Sequence, residues 1–142
     1  MKKKVLAFGT FDGIHPGHLY YLEKAKEQGK ELTVVIARDL NIKKIKGKKP
    51  ILKEEERRYL IQSLKPVDKT VFGLKKGNKF EIVKRLKPDV IVLGYDQKPS
   101  VKELKKELKK MKIKAEIKRI NSWDSKRFKS SKLKKKIIEQ AG

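Results

Sequence analysis

The sequence predicts an α/β fold, a single Rossmann-like doubly wound domain over residues 1–142 with a parallel sheet and helices on both faces. Three observations predict it. Short apolar runs rich in β-branched residues alternate with stretches of helical spacing. The first two runs, residues 5–8 and 32–37, read as strands buried in a parallel sheet. Pro66, Pro88 and Pro99 fall at the seams between elements. Strand–helix–strand units of this kind cross over right-handed, which builds a doubly wound sheet.

Taken in order, residues 5–8 form a short apolar run ending at Gly9, and residues 32–37 a second, richer in valine and isoleucine. Residues 70–72, 90–93 and 115–120 supply three further strands. The first helix is expected to start at Pro16 or Gly17, because proline is preorganised for a first turn, and to run to Gln28. It carries Leu19, Leu22 and Ala25 on one face and stops at Gly29. Later helices fit residues 53–63, 78–86, 100–110 and 130–139. Residues 39–50 read differently. Five of these residues are lysine, and the segment is expected to be a mobile cationic loop beside the carboxyl edge of the sheet, longer than α/β loops usually are.

Composition narrows the classes of function. No apolar stretch approaches the roughly 20 residues that cross a bilayer, and the run after the basic residues 1–4 is too short for a signal peptide. A cytoplasmic protein with no membrane partner is the default expectation. Cysteine is absent, which excludes disulfides, thiolate metal sites and cysteine nucleophiles. The formal charge of +23 attracts polyanions. Its carriers are mostly lysine, though, and are spread along every segment without an arginine-rich, aromatic-interleaved stripe, so nucleic acid is not the expected partner and a basic nucleic-acid-binding module stays as the alternative from another class. Lysine runs such as residues 105–110 read as solvated helix faces. Abundant lysine with few Asn and Gln also suits a protein adapted to heat.

Chemistry concentrates where the first strand runs into Gly9-Thr10-Phe11-Asp12-Gly13-Ile14-His15-Pro16-Gly17-His18. In open α/β sheets, ligands sit beyond the carboxyl ends of the strands, and a helix N-terminus there presents bare N–H groups and partial positive charge to phosphate. His15 and His18, the only histidines, stand three apart at that helix start, and Gly17 leaves room for a nucleotide to approach the backbone. Imidazoles can donate hydrogen bonds to phosphoryl oxygens as charge moves toward a departing pyrophosphate, with no covalent intermediate. A metal pair or simple helix capping are the alternatives. Only Asp12 lies near enough in sequence to add a ligand, so no metal-ligating residue is assigned, and capping alone does not call for both histidines and the glycines.

The residues Gly9-Thr10-Phe11-Asp12, His15, Gly17 and His18 resemble the signature of the HIGH-motif nucleotidyltransferases of the cytidylyltransferase-like group. The likeness continues through Arg38-Asp39, Lys46-Gly47-Lys48-Lys49-Pro50, Glu56-Arg57, Gly94-Tyr95-Asp96-Gln97 and Ser130-Ser131-Lys132. It implies catalytic roles for His15, His18, Lys46 and Arg57. It implies nucleotide binding by Gly9, Thr10, Phe11, Pro16, Gly17, Lys44, Gly94, Asp96, Ser130 and Ser131. Lys44 and Lys46 would reach phosphates from the cationic segment, Arg57 would offer a fork of donors to the transferred group, and a divalent metal ion, Mg²⁺, would shield charge. Solvated surface charge remains the other reading of either lysine, a turn residue that of Asp96, and capping that of one of the two serines.

Within the group the chain is similar to archaeal members that transfer AMP from ATP to FMN, giving FAD and pyrophosphate. The phrases at residues 34–39, 65–68 and 92–97 carry that likeness. Members that join CTP to glycerol 3-phosphate are the runner-up. They show an Arg-Thr-Glu-Gly-Ile-Ser type segment before the last helix, where this chain has Lys126-Arg127-Phe128-Lys129-Ser130-Ser131. That departure leaves Arg119 and Arg127 without a carried role. ATP and FMN are thus the expected substrates, and a homodimer is implied by resemblance alone. Trp123 reads either as a stacking platform for a flavin or adenine ring or as a packing anchor.

Overall fold

The computed structural model describes residues 3–76, 80–95 and 100–121. Its elements follow in the order β1 (Lys4–Gly9), α1 (Pro16–Lys26), β2 (Glu31–Ile36), α2 (Asp39–Lys46), α3 (Glu54–Gln62), β3 (Lys69–Phe72), α4 (Glu81–Leu86), β4 (Val90–Leu93), α5 (Val101–Lys110) and β5 (Glu116–Arg119). The five strands form one parallel sheet in the order β3-β2-β1-β4-β5. The chain winds outward from β1 to β3, then returns to the other side of β1. The sheet's switch point therefore lies between β1 and β4, the place where such sheets open a ligand crevice.

Period-two alternation within the strands sorts the core into two layers. Val5 and Ala7 of β1 join Val34 of β2 and Val90 of β4 beneath α1 and α3, through Leu22, Ala25 and Ile61. Leu6 and Ile91 face the opposite way, against Ile82 and Val83 of α4 and Leu104 and Leu108 of α5. Because both faces are covered, β4 is buried along its whole length, which accounts for its unbroken Val-Ile-Val-Leu run. The doubly wound sheet and each expected strand are present.

The segment expected to be a loop is the main correction to the fold. Residues 39–46 are helical, and only residues 47–53 connect α2 to α3. Ile42 is buried and gives the helix an anchor. Asp39 stands in its first turn and three lysines in its last, the arrangement a helix dipole favours. Gly47 closes the helix at φ 71°, donating its N–H to the Lys43 carbonyl at 2.8 Å. The helix expected over 130–139 lies outside the described residues, as do Asp96, Trp123, Arg127, Ser130 and Ser131.

Candidate active site

The loop after β1 is folded tightly by its own side chains. Phe11 has φ 54°, a left-handed conformation that is an outlier for a bulky residue. This turn sends the ring back over Gly9, where any Cβ would overlap it, so glycine is obligatory there for packing. Phe11 is only 3% exposed and its ring belongs to the core, so any nucleotide contact by this residue falls to its backbone.

The two histidines are used twice. His15 is the N-cap of α1, and its Nδ1 accepts the Gly17 N–H at 3.1 Å. His18 answers from the third helical position, its Nδ1 accepting the His15 N–H at 3.3 Å. This is the geometry of a capping box, built from imidazoles in place of the usual hydroxyl and carboxylate. Capping, discounted from sequence, therefore does employ both rings. It also sets the tautomer: an acceptor Nδ1 carries no proton, so each neutral ring keeps its proton on Nε2 as a donor. The rings stack with centroids 3.8 Å apart. Burial lowers the His15 pKa below its ordinary value, and burial followed by repulsion from His15 lowers that of His18 to about 4. At neutral pH the loop thus presents two uncharged N–H donors at the mouth of a helix.

Arg57 stands behind the motif loop. It is fully buried, and its three nitrogens donate to protein: Nε to the Leu52 carbonyl at 3.1 Å, Nη1 to the Thr10 carbonyl at 2.8 Å, and Nη2 to Asp39 Oδ1 at 2.6 Å. The fork of donors is turned inward and grips the motif loop from behind. Asp12 makes a matching contact, its two carboxylate oxygens accepting the N–H groups of Ile51 and Leu52 at 2.8 and 2.9 Å. A carboxylate so engaged has its acceptor capacity directed at the backbone. Among the described residues no group of three or more His, Cys, Asp or Glu could hold a metal.

Sequence reasoning missed the partners in this network. Asp39 and Glu54 exchange backbone and carboxylate contacts, Asp39 N–H to Glu54 Oε1 at 3.0 Å and Glu54 N–H to Asp39 Oδ2 at 3.2 Å. Arg38 adds an ion pair to Glu54 at 2.7 Å. Separations of fifteen or more residues leave no periodic signal to find. Tyr21 was missed too: its hydroxyl donates to the Val92 carbonyl at 2.9 Å, where β1 and β4 end their pairing at Ala7 and Val92. Burial pushes its pKa up. Lys44 and Lys46 are exposed on α2, consistent with either of their readings. Gly94 follows β4, with its carbonyl accepting from Arg119 Nη1 at 2.6 Å, which gives Arg119 the structural role the sequence left open.

A parallel sheet with its switch point beside β1, and a histidine-capped helix opening there, define a Rossmann-like fold equipped to receive phosphate. Residues 6–136 match the family described as cytidylyltransferase-like, and the chain belongs to that family. A FAD synthase of Ferroglobus placidus is 46% identical over 138 residues, covering 97% of this chain and 87% of the relative. A FAD synthase of Thermococcus sibiricus is 45% identical over 139 residues, covering 97% and 94%. Among solved structures, that of a lipopolysaccharide core biosynthesis protein from Thermoplasma volcanium superposes with a TM-score of 0.82 at 42% identity, covering 87% of this chain and all of the other.

Proposed function

We propose that this chain is an FMN adenylyltransferase, a nucleotidyltransferase that moves AMP from ATP to FMN and yields FAD and pyrophosphate. The curated relatives named FAD synthase, similar over nearly the full length, support this activity. The observation that carries the chemistry is the reciprocal histidine cap at the carboxyl end of β1, which fixes two Nε2–H donors beside the first amides of α1.

An FMN phosphate oxygen attacks the α-phosphorus of ATP. One P–O bond forms as the α–β P–O bond breaks, and the bonding pair leaves with pyrophosphate. His15 and His18 donate to phosphoryl oxygens as that charge develops, which is where such donors contribute most. Gly9, Thr10, Phe11, Pro16 and Gly17 offer backbone and space to the nucleotide. Lys44 and Lys46 approach the polyphosphate from α2. Gly94 and Asp96 are assigned to reading the ribose or base, and Ser130 and Ser131 to holding phosphate, on the likeness of their motifs alone. Arg57 holds the loop. Asp12 accepts two backbone amides and no cluster of ligands stands beside it among the described residues, so a divalent ion such as Mg²⁺ is assigned to the substrate, chelated by the triphosphate and water.

Pyrophosphate release is the decisive measurement, with ATP or CTP each paired with FMN, glycerol 3-phosphate or phosphopantetheine. ATP with FMN should stand alone. Turnover of CTP with glycerol 3-phosphate in its place would overturn the substrates, and release with no pair would overturn the reaction by its absence.

A further inference from the structure

Phe11 occupies a backbone conformation that costs on the order of 1 kcal/mol or more for a residue with a Cβ, and its surroundings hold it there from both sides. The residue before it is gripped through the Thr10 carbonyl by Arg57 Nη1 at 2.8 Å. The residue after it is gripped through the Asp12 carboxylate by the Ile51 and Leu52 amides. Arg57 is aimed in turn by Asp39 at 2.6 Å. What the strained turn achieves is placement of an aromatic ring edge-on to His18, with centroids 5.4 Å apart and planes at 76°. His15 also stacks on His18, with centroids 3.8 Å apart. A ring held by both a stacked and a T-shaped contact has little freedom to rotate.

We infer that Phe11 is a positioning residue for His18, and that Asp39 acts at a distance on the same imidazole by way of Arg57, the Thr10 carbonyl and the Phe11 turn. The kinetic part of this inference rests on the adenylyl transfer proposed above; the placement of the imidazole does not. Strain concentrated beside a functional ring, and countered by contacts from two separate segments, is the pattern expected where a fold preorganises a donor. An apolar residue in the right-handed region would avoid the strain, and would take the T-shaped contact away from His18.

The test reads the imidazole directly. Nitrogen NMR of the substrate-free protein follows the tautomer and titration of His18 in the parent, in Phe11→Leu and in Asp39→Ala, each checked for folding by circular dichroism. The side chain of Asp39 is 37% exposed, so its variant removes no core volume and makes a different demand on folding from the Phe11 substitution. In both variants the His18 titration midpoint should rise from about 4 toward the ordinary 6.5, and the proton should distribute over both nitrogens. Turnover of ATP and FMN should fall on the order of a hundredfold, as a displacement of about 1 Å can cause, with ATP dissociation little changed. In a His18→Ala background either variant should then cost no more than about a further twofold. An unchanged His18 signal in both folded variants, or losses that multiply in the His18→Ala background, overturns the inference. A parent protein that releases no pyrophosphate counts against the activity alone, since the NMR arm uses no substrate.

Discussion

At the scale of single residues, replacing His15 with asparagine keeps an acceptor for the Gly17 N–H but removes the imidazole donor. Asparagine ranks among the best N-caps, so the His15→Asn protein should keep its stability to within about 0.5 kcal/mol in a urea melt. Its rate of pyrophosphate release should nonetheless drop about a hundred- to a thousandfold, the usual cost of one charge-stabilising donor. His15→Ala should show the same loss of rate with about 1 kcal/mol of stability lost as well. Equal rates in the two variants and the parent would reduce His15 to a cap. The pair's low pKa values make a second prediction. Well above pH 6.5 the imidazole of His18 is neutral in both folded and unfolded chains and contributes nothing to the pH dependence. Below it the unfolded chain takes up the proton while the folded chain refuses it until about pH 4, so stability falls across that window and then levels. The loss amounts to roughly 3 kcal/mol, with His15 acting in the same direction. His18→Gln should flatten this part of the profile of unfolding free energy against pH.

At the scale of elements, α2 shows how a lysine-rich segment can be helical without a strong local signal. Its eight residues are fixed by Ile42 in the core, by the Asp39–Glu54 exchange at one end and by Gly47 at the other. Gly47 meets nothing within 4 Å of an added Cβ, so a substitution there is opposed by conformation alone. Gly47→Ala should cost about 1 kcal/mol, seen in hydrogen exchange as faster opening of the amide bonded to the Lys43 carbonyl, while the amides of β1 exchange as before. The strands and α1, α3 and α5 were legible because each buries a face that its own residues announce: β4 as an unbroken apolar run, α5 through Leu104 and Leu108 one turn apart. In α2 a single buried side chain, Ile42, supplies no period to read.

At the scale of the whole molecule, α1 and α3 on one face of the sheet and α4 and α5 on the other share the strands β1, β2 and β4 between two apolar layers. Neither layer has a sheet of its own. Unfolding should accordingly be one cooperative transition, with calorimetric and van't Hoff enthalpies equal; two resolved transitions would divide the chain proposed as a single domain. The histidine loop was legible for a reason of the same kind as the strands. Its glycines, its paired histidines and its place between strand and helix all lie within ten consecutive positions. By itself the sequence determined the parallel α/β architecture and the place of the histidine loop between β1 and α1, since burial patterns and helix starts are written in neighbouring residues. Only the tertiary structure decided that Arg57 grips the loop, that Asp12 is bound to two backbone amides, and that the two imidazoles are stacked and low in pKa. Those outcomes depend on which groups meet across many residues of chain, on how deeply each is buried, and on which hydrogen bonds are already taken, none of which is encoded in local order.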